Sequence, residues 1–512
     1  MINLNRFLIL FILVPTLNVV GQNTPSLWKH TCNCGGMNMI TIDDNGNSYV
    51  FNDGQNGAAL PTVLKLSPTG SQKFNNNYLP SGYLSMEFNN VIYKNGRIYI
   101  AGNVSNSTDL NRLCLTTVDT LGNMINQLVV DSIQINPLSG IESAPFYSYG
   151  FKIDQFENLH VAFSKNDQSF NKYYCFLKFD LAYNLLASFT DSLGLNTIPG
   201  PCTYQNDGTV YYSYSGNIVK LNNSYSSIDW MAPLNNQFMD ARKIRSTSNS
   251  NIYILTAQLS GVQDPTYTLV KIQDNGLSYA NIYDSLIATS PGLEFTQMLV
   301  DDSSNSVYHA GYNTSSFPYR RYVVKQDGLT GSIEWRDSSF DGQFINALLL
   351  SAQNNLVAIG GGTDYYVWLY NSLGTVDAII RYDGPCGAND NITAARFDPN
   401  EKLIVTGSSC ENASSINWGT TLKYNIPTIT TSIPESFGRD ITIYPTPAVN
   451  EIKLNTQEQI LDLTAFDILG NFTKISFTDE KNIDVSFLSA GVYLLQVNTA
   501  TGLFYSKLLI SK

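Results

Sequence analysis

Tyr93-Lys94-Asn95-Gly96-Arg97-Ile98-Tyr99-Ile100-Ala101-Gly102 reads as the end of one strand, a tight polar turn and a second strand that closes on a small residue. Asn and Gly tolerate the positive φ that a tight hairpin demands. The flanks are β-branched and aromatic, which suits a pleated surface. Variants of this stretch recur along the chain. Asp43-Asp44-Asn45-Gly46-Asn47 precedes Ser48-Tyr49-Val50-Phe51, and Asp154-Gln155-Phe156-Glu157-Asn158 precedes Leu159-His160-Val161-Ala162. Further copies begin at Gln205, Ser248, Asp301, Gln353 and Asp398.

A second half-motif follows each hairpin. Leu64-Lys65-Leu66-Ser67-Pro68-Thr69-Gly70 is one instance, and Lys178, Lys220, Lys271, Lys325 and Lys423 mark others. Each is a strand ending in a turn, and a fourth strand follows, as in Gly331-Ser332-Ile333-Glu334-Trp335. One unit is therefore four short antiparallel strands over roughly 50 residues, the length of a propeller blade. A lone four-stranded sheet cannot bury both faces, whereas sheets stacked around an axis can. Ser26-Leu27-Trp28-Lys29-His30 has the look of a fourth strand, and the last unit ends after its third strand near Asn425. The N-terminal segment is thus expected to supply the missing strand. The fold class is all-β: an eight-bladed β-propeller over residues 22–425, or a seven-bladed one if a short unit is not a full blade. In such a ring the first-to-second and third-to-fourth turns share one end. The longer second-to-third and fourth-to-first connections share the other, where binding sites are carried.

The chain has 512 residues, room for more than one domain. Charged residues make up only 14% and aromatics 12%, which describes a β-rich globular protein rather than a disordered one. The net charge of −12 argues against nucleic acid and anionic membrane as partners. Residues 1–21 have the form of a secretory signal peptide, with Arg6 ahead of an apolar run from Phe7 to Val20. No transmembrane segment is expected after its removal. Cysteines suit an exported protein. Cys32, Cys34, Cys386 and Cys410 would all gather where the ring closes, so Cys386–Cys410 is expected as a disulfide, with Cys32 or Cys34 in a second. Cys114 and Cys175 fall in strands and read as core; Cys202 has no evident place.

Residues 426–440, rich in Thr, Ser and Pro, read as a linker. Residues 441–512 show strand patterns at Ile441–Tyr444, Glu451–Leu454, Leu463–Asp467, Asn482–Val485, Val492–Asn498 and Phe504–Ser511, the content of a small Ig-like β-sandwich. Ile443-Tyr444-Pro445-Thr446-Pro447-Ala448 resembles the opening of the C-terminal sorting domain of type IX secretion cargo. Asp467-Ile468-Leu469-Gly470-Asn471 resembles its central turn. Leu488–Val497, with Gly491 and Tyr493, and the closing Lys507–Lys512 resemble its last strands. The usual Asn after Tyr-Pro is Thr446 here. The resemblance implies a Gram-negative host, passage through the periplasm, a type IX translocon as partner, and a destination outside the cell or on the outer-membrane surface. The ring resembles secreted bacterial propellers with Asp-x-x-Gly-Asn-x-Tyr repeats, a family that gives fold rather than activity.

No catalytic constellation stands out, and no cofactor or metal is expected. His30, His160 and His309 lie at no ligand spacing. Asp43-Asp44 and Asp301-Asp302 are paired carboxylates, but in tight turns, where they are turn formers rather than a glycosidase pair. Gly360-Gly361-Gly362 opens no helix and is not a phosphate cradle. The expected function is binding of a polysaccharide or another surface protein through the long-connection end. The alternatives are a secreted enzyme acting on glycan, for which Asp109, Glu142, Asp167 and Asp264 are the acidic residues available, and a structural envelope component. Asp119-Thr120-Leu121, Asp131-Ser132-Ile133, Asp191-Ser192-Leu193 and Asp284-Ser285-Leu286 match a short O-glycosylation pattern similar to that of such bacteria.

Overall fold

The computed structural model describes residues 26–32, 36–52, 61–106, 112–130, 148–166, 171–194, 199–234, 239–258, 265–315, 319–340, 344–386, 390–410, 417–426, 442–455, 460–467, 472–475, 483–499 and 502–512. The chain divides into two compact units between Ile429 and Thr430.

The first unit is built from eight four-stranded antiparallel sheets among the described residues. Their first strands are Met37–Ile42, Ser85–Lys94, Ser148–Ile153, Pro199–Tyr204, Met239–Ser246, Leu293–Asp301, Phe344–Leu350 and Asn391–Phe397. Each of these lies against the first strand of the next sheet, and Asn391–Phe397 lies against Met37–Ile42, so the sheets form a closed ring with the first strands innermost. The fourth strand of the eighth sheet is Trp28–Cys32, which pairs with Asn417–Asn425 from Trp28↔Lys423 to Cys32↔Gly419. The short fourth unit, Pro199–Pro233, is a complete four-stranded sheet.

The hairpin turns follow from their acids. Asp43 accepts hydrogen bonds from the backbone N–H of Asn45 (3.0 Å) and Asn47 (2.8 Å) and from the Tyr49 hydroxyl (2.9 Å). Asp119, Asp154, Asp180 and Asp398 repeat the arrangement, each taking the N–H groups two and four residues on. An aspartate that bonds its own backbone in this way fixes the turn locally. At Asn95-Gly96 the turn instead uses two residues at φ 52° and 73°.

The half-motif lysines join the sheets. Lys65, Lys220, Lys271 and Lys325 on third strands pair with Tyr49, Tyr211, Tyr253 and Tyr308 on second strands. On the other side they pair with Phe74, Trp230, Tyr283 and Trp335 of the fourth strands. Sandwiched between rings, the lysine reaches into the third-to-fourth turn of the next sheet. Lys65 Nζ donates to Thr120 O (2.6 Å), Lys220 to Gly276 O (2.7 Å), and Lys271 to Gly328 O (2.8 Å). Lys423 of the eighth sheet donates to Pro68 O of the first (3.2 Å), as does Trp28 Nε1 (2.8 Å). The seventh sheet holds Val357, Leu369 and Ala378 at the same positions, and its seam is apolar.

A second set of ties runs round the axis. Every first strand breaks register once, as between Ala241 and Lys243, between Phe295 and Gln297, and between Ile392 and Ala394. A bulge re-aims the extra side chain. Thr296 Oγ1 donates to Ile345 O (3.1 Å), Asn346 Nδ2 to Ile392 O (2.6 Å), and Thr393 Oγ1 to Met37 O, each across to the next sheet.

The second unit has sheets of three and four strands around one core that includes Ile443, Ile452, Leu463, Ile483, Leu495 and Leu508. Its strands are Thr442–Tyr444, Glu451–Asn455, Ile460–Phe466, Phe472–Lys474, Ile483–Asp484, Gly491–Thr499 and Gly502–Ile510. Phe472–Lys474 is absent from the sequence reading, being a three-residue edge strand paired only with Thr464–Phe466.

Candidate functional site

Although a cavity of about 420 Å³ opens at the tight-turn end among Lys152, Gln155, Asn206, Asp207, Ser248 and Asp302, that end uses most of its polar groups internally. His160, the one histidine beside an aspartate, shows this. Its Nε2 lies 3.0 Å from Asp154 Oδ2 and its Nδ1 2.6 Å from the Tyr225 hydroxyl, and all three residues are buried. Burial lowers the His160 pKa against the pull of Asp154. Burial alone would raise Asp154, but the bonds from Asn158 and His160 outweigh it and hold the carboxyl below its usual range. An Asp–His–Tyr relay closed to solvent holds a turn and reaches no substrate. His309 is fully buried, and burial drives its pKa down to about 3, so it sits neutral in the core. Asp43 and Asp301 are buried caps of their own turns.

The opposite end is different. Not every connection there is long: Ser215 and Gly216 alone join the second and third strands of the fourth sheet, and Gly362, Thr363 and Asp364 do so in the seventh. The short turn at Ser215-Gly216 uncovers a cavity of about 470 Å³ between the fourth and fifth sheets. Its walls are the strand start Pro199–Cys202, the Tyr214–Asn217 hairpin, Leu234, and the run Asp240-Ala241-Arg242-Lys243 with Arg245. Burial lowers the pKa of Lys243 and the charge of Arg245 lowers it further; burial also lowers Arg245. Cys202, unplaced in the sequence, is buried in this wall, and burial pushes its thiol up to about 12.

A second polar cluster lies between the seventh and eighth sheets at the same end. Asp364, Asp383 and Asp390 bring carboxylate oxygens within 4.8 Å of one another. Arg381 neutralises part of that charge, with NH2 2.7 Å from Asp364 and 3.5 Å from Asp383. Asp390 accepts from the Cys410 N–H at 2.9 Å and from the Gly384 N–H at 2.5 Å, yet burial raises its pKa. These bonds hold the loop that the Cys386–Cys410 disulfide closes, with Cα atoms 5.6 Å apart. Cys32 is disulfide-bonded as well. Cys114 and Cys175 are free and buried in strands.

Several residues singled out in the sequence fall outside the described residues: Cys34, Gly470, the acids Asp109, Glu142, Asp167 and Asp264, and Asp131-Ser132-Ile133. Of the glycosylation matches, Ser285 is engaged in a seam, its hydroxyl donating to Gly331 O at 2.6 Å. In the second unit Tyr444, Pro445, Pro447, Lys507 and Lys512 are exposed. Gly491 opens the strand whose Tyr493 hydroxyl donates to Ser489 O (3.0 Å), and Lys512 Nζ donates to Ser486 O.

Among solved structures the chain is similar to Sqt1 of Saccharomyces cerevisiae, at 10% identity and TM-score 0.51, covering 79% of this chain and 99% of that one. It is also similar to PorZ, an essential bacterial surface component of the type-IX secretion system of Porphyromonas gingivalis, at 12% identity and TM-score 0.43. That match covers 92% of this chain and 65% of PorZ, so the chain spans just under two thirds of PorZ's length. BamB from Moraxella catarrhalis matches at 12% identity and TM-score 0.43, over 79% of this chain and 98% of its own. A comparison with curated proteins gave no match. At its identity the likeness to Sqt1 speaks to the β-propeller fold alone. No helix among the described residues is long and apolar enough to cross a membrane. Residues 442–511 match the secretion system C-terminal sorting domain family. The chain is therefore a secreted protein in which a β-propeller precedes a type IX secretion sorting domain.

Proposed function

We propose that this protein is a non-enzymatic binding protein of the outer-membrane surface or the extracellular space, an eight-bladed propeller that presents its long-connection end to a polysaccharide or a surface protein. The domain plan is a leader over 1–21, the ring over 22–425, a linker over 426–440, and an Ig-like sorting sandwich over 441–512 that the translocon reads through Tyr444, Pro445, Pro447, Gly470, Gly491, Tyr493, Lys507 and Lys512. The observation that carries the binding reading is the contrast between the ends of the ring. Both ends open a cavity, but in the one at the tight-turn end, of about 420 Å³, Lys152 is bound to Asn206 (2.9 Å) and Asp302 accepts from the Ser248 N–H (3.1 Å), whereas the basic side chains that wall the other have no ion pair among the described residues. The secreted-enzyme reading has no support from His160 or His309, since both are sealed in the core.

Export and binding are tested separately. Deleting 441–512 is expected to strand the ring in the periplasm, read by fractionation of the host; normal surface appearance of the truncated chain refutes the sorting role. For binding, thermal unfolding of the full chain against a glycan panel is the assay. A ligand at about 100 times its Kd raises stability by roughly 2.7 kcal/mol. A panel without a single shift, together with no surface protein captured by the ring, refutes the binding reading.

A further inference from the structure

Several cations of this ring are held by carboxylates of the fold. Lys220 pairs with Asp274 at 2.9 Å, Arg321 with Asp337 at 2.7 Å, Lys325 with Glu334 at 2.7 Å, and Lys423 with Asp398 at 2.6 Å. The cavity between the fourth and fifth sheets differs in gathering three cations on one wall, whereas Arg396, which donates to its own neighbour's carbonyl, stands alone on its strand. Arg242, Lys243 and Arg245 line the cavity, with Asp240 as the one carboxylate in its wall. Among the described residues none of the three has an ion pair, and Arg245 donates only to the carbonyl of its neighbour Ile244 (3.0 Å). In a chain with 42 acids to 30 bases, an unpaired basic cluster is not the product of a general excess of positive charge.

The bulge position sharpens the point. Thr296, Asn346 and Thr393 occupy it in the sixth, seventh and eighth sheets, and each ties its sheet to the next. In the fifth sheet the position holds Arg242, exposed and without a hydrogen bond among the described residues. A side chain that elsewhere serves the ring here serves the cavity. Lys243 is half-buried with Arg242 and Arg245 exposed beside it; like charges this close repel one another, and an anion placed among them removes that cost. The guanidinium forks of Arg242 and Arg245 match the planar, bidentate geometry of carboxylate and phosphate. Pro199, Pro201, Tyr214 and Leu234 supply apolar wall around the charge, and the volume lies within the range of small-ligand pockets, about 300–1,000 Å³.

We propose that Arg242, Lys243 and Arg245 form an oxyanion-binding site that takes the carboxylate or phosphate of an acidic, saccharide-sized ligand at the long-connection end of the ring. This deepens the binding reading above and rests on it for the identity of the natural ligand.

The test is titration calorimetry of the full chain with inorganic phosphate, trigalacturonate and neutral maltotriose, each at low and high salt. One or both anions are expected to bind, more weakly as salt rises, with maltotriose silent. Arg242→Ala and Arg245→Ala are each expected to weaken that binding by about tenfold. Arg242 is exposed and makes no hydrogen bond or ion pair among the described residues, so its variant is expected to stay folded; Lys73→Ala, an exposed cation of the first sheet, is the charge control and leaves binding unchanged. Binding of trigalacturonate alone assigns a carboxylated glycan as the source, and binding of phosphate alone assigns a phosphorylated one. Absence of binding by both anions, or binding indifferent to both arginine variants, overturns the site. A neutral glycan bound equally by wild type and variants would overturn this inference while leaving the binding reading intact.

Discussion

The two ends of the ring are made from the same strands and treat charge in different ways. At the tight-turn end the marker residues of the repeat are engaged by the ring: Asp43 caps its own turn, Lys65 reaches the next sheet's Thr120, and Trp28 reaches Pro68. At the long-connection end Arg242, Lys243 and Arg245 face a cavity with no ion pair among the described residues. One end is structure written in polar groups. The other end also uses charge this way at Asp364, Arg381 and Asp390, but leaves Arg242, Lys243 and Arg245 without an ion pair among the described residues.

The largest effect is expected where the closing seam is cut. Lys423 is nearly buried, touches buried Asp398 at 2.6 Å as an ion contact, and donates to Pro68 O. Lys423→Ala leaves that carboxylate uncompensated, which costs about 3–5 kcal/mol. Denaturant unfolding of the full chain measures it. A loss under about 1 kcal/mol would mean that the tight-turn end does not depend on its charges, and the contrast would fail.

Glycines sharpen the same comparison at smaller cost. Gly70 and Gly82 both hold positive φ, 81° and 86°. A Cβ on Gly70 would come within 2.7 Å of the Trp28 ring, whereas one on Gly82, in the connection after the first sheet, meets nothing within 4 Å. Gly82→Ala pays the left-handed backbone alone, about 1 kcal/mol, and Gly70→Ala adds overpacking, for roughly 2–3 kcal/mol. Equal losses in the two variants would show that the seam yields freely.

Between the ends, His309 makes the core sensitive to acid. Its folded pKa of about 3 lies below the unfolded value of 6.5. The unfolded chain therefore binds more protons in that window, so stability present above pH 6.5 declines as pH falls toward 3. The slope is about 1.4 kcal/mol per pH unit, or roughly 2 kcal/mol by pH 5. His309→Phe should reduce the slope between pH 6.5 and 5 while His160, also lowered by burial, keeps a share of it, read from unfolding at each pH; a profile unchanged by the substitution would place the acid-sensitive group elsewhere.

What the sequence discloses follows the same division. Hairpin turns and strand alternation are local, so Asn95-Gly96, Asp43–Asn47 and the lysine half-motif announce the ring, and Trp28 announces its closing strand. The Cys386–Cys410 disulfide follows once the ring is assumed. The reach of Lys65 to Thr120 and of Thr296 to Ile345 depends on the register between neighbouring sheets, which no local pattern encodes. Arg242-Lys243-Ile244-Arg245 is plain to see in the sequence, yet it reads as an ordinary charged strand. Only the ring sets it opposite Tyr214 and Pro201 and shows that the one carboxylate in the wall, Asp240, forms no ion pair with it among the described residues.

The smallest expected effect is the most discriminating. Lys243→Met removes a charge that burial and Arg245 already disfavour. If the long-connection end is not scaffold, stability should stay within about 0.5 kcal/mol of wild type or rise slightly, opposite in direction to Lys423→Ala. Both are lysines on strands of the same ring, so a difference in sign isolates whether a partner is present. Unfolding measured in low salt, where like-charge repulsion is least screened, gives the clearest comparison. A loss comparable to that of Lys423→Ala would make Lys243 a member of the ring's own stitching, and the cavity would then be a gap between sheets instead of a place for an anion.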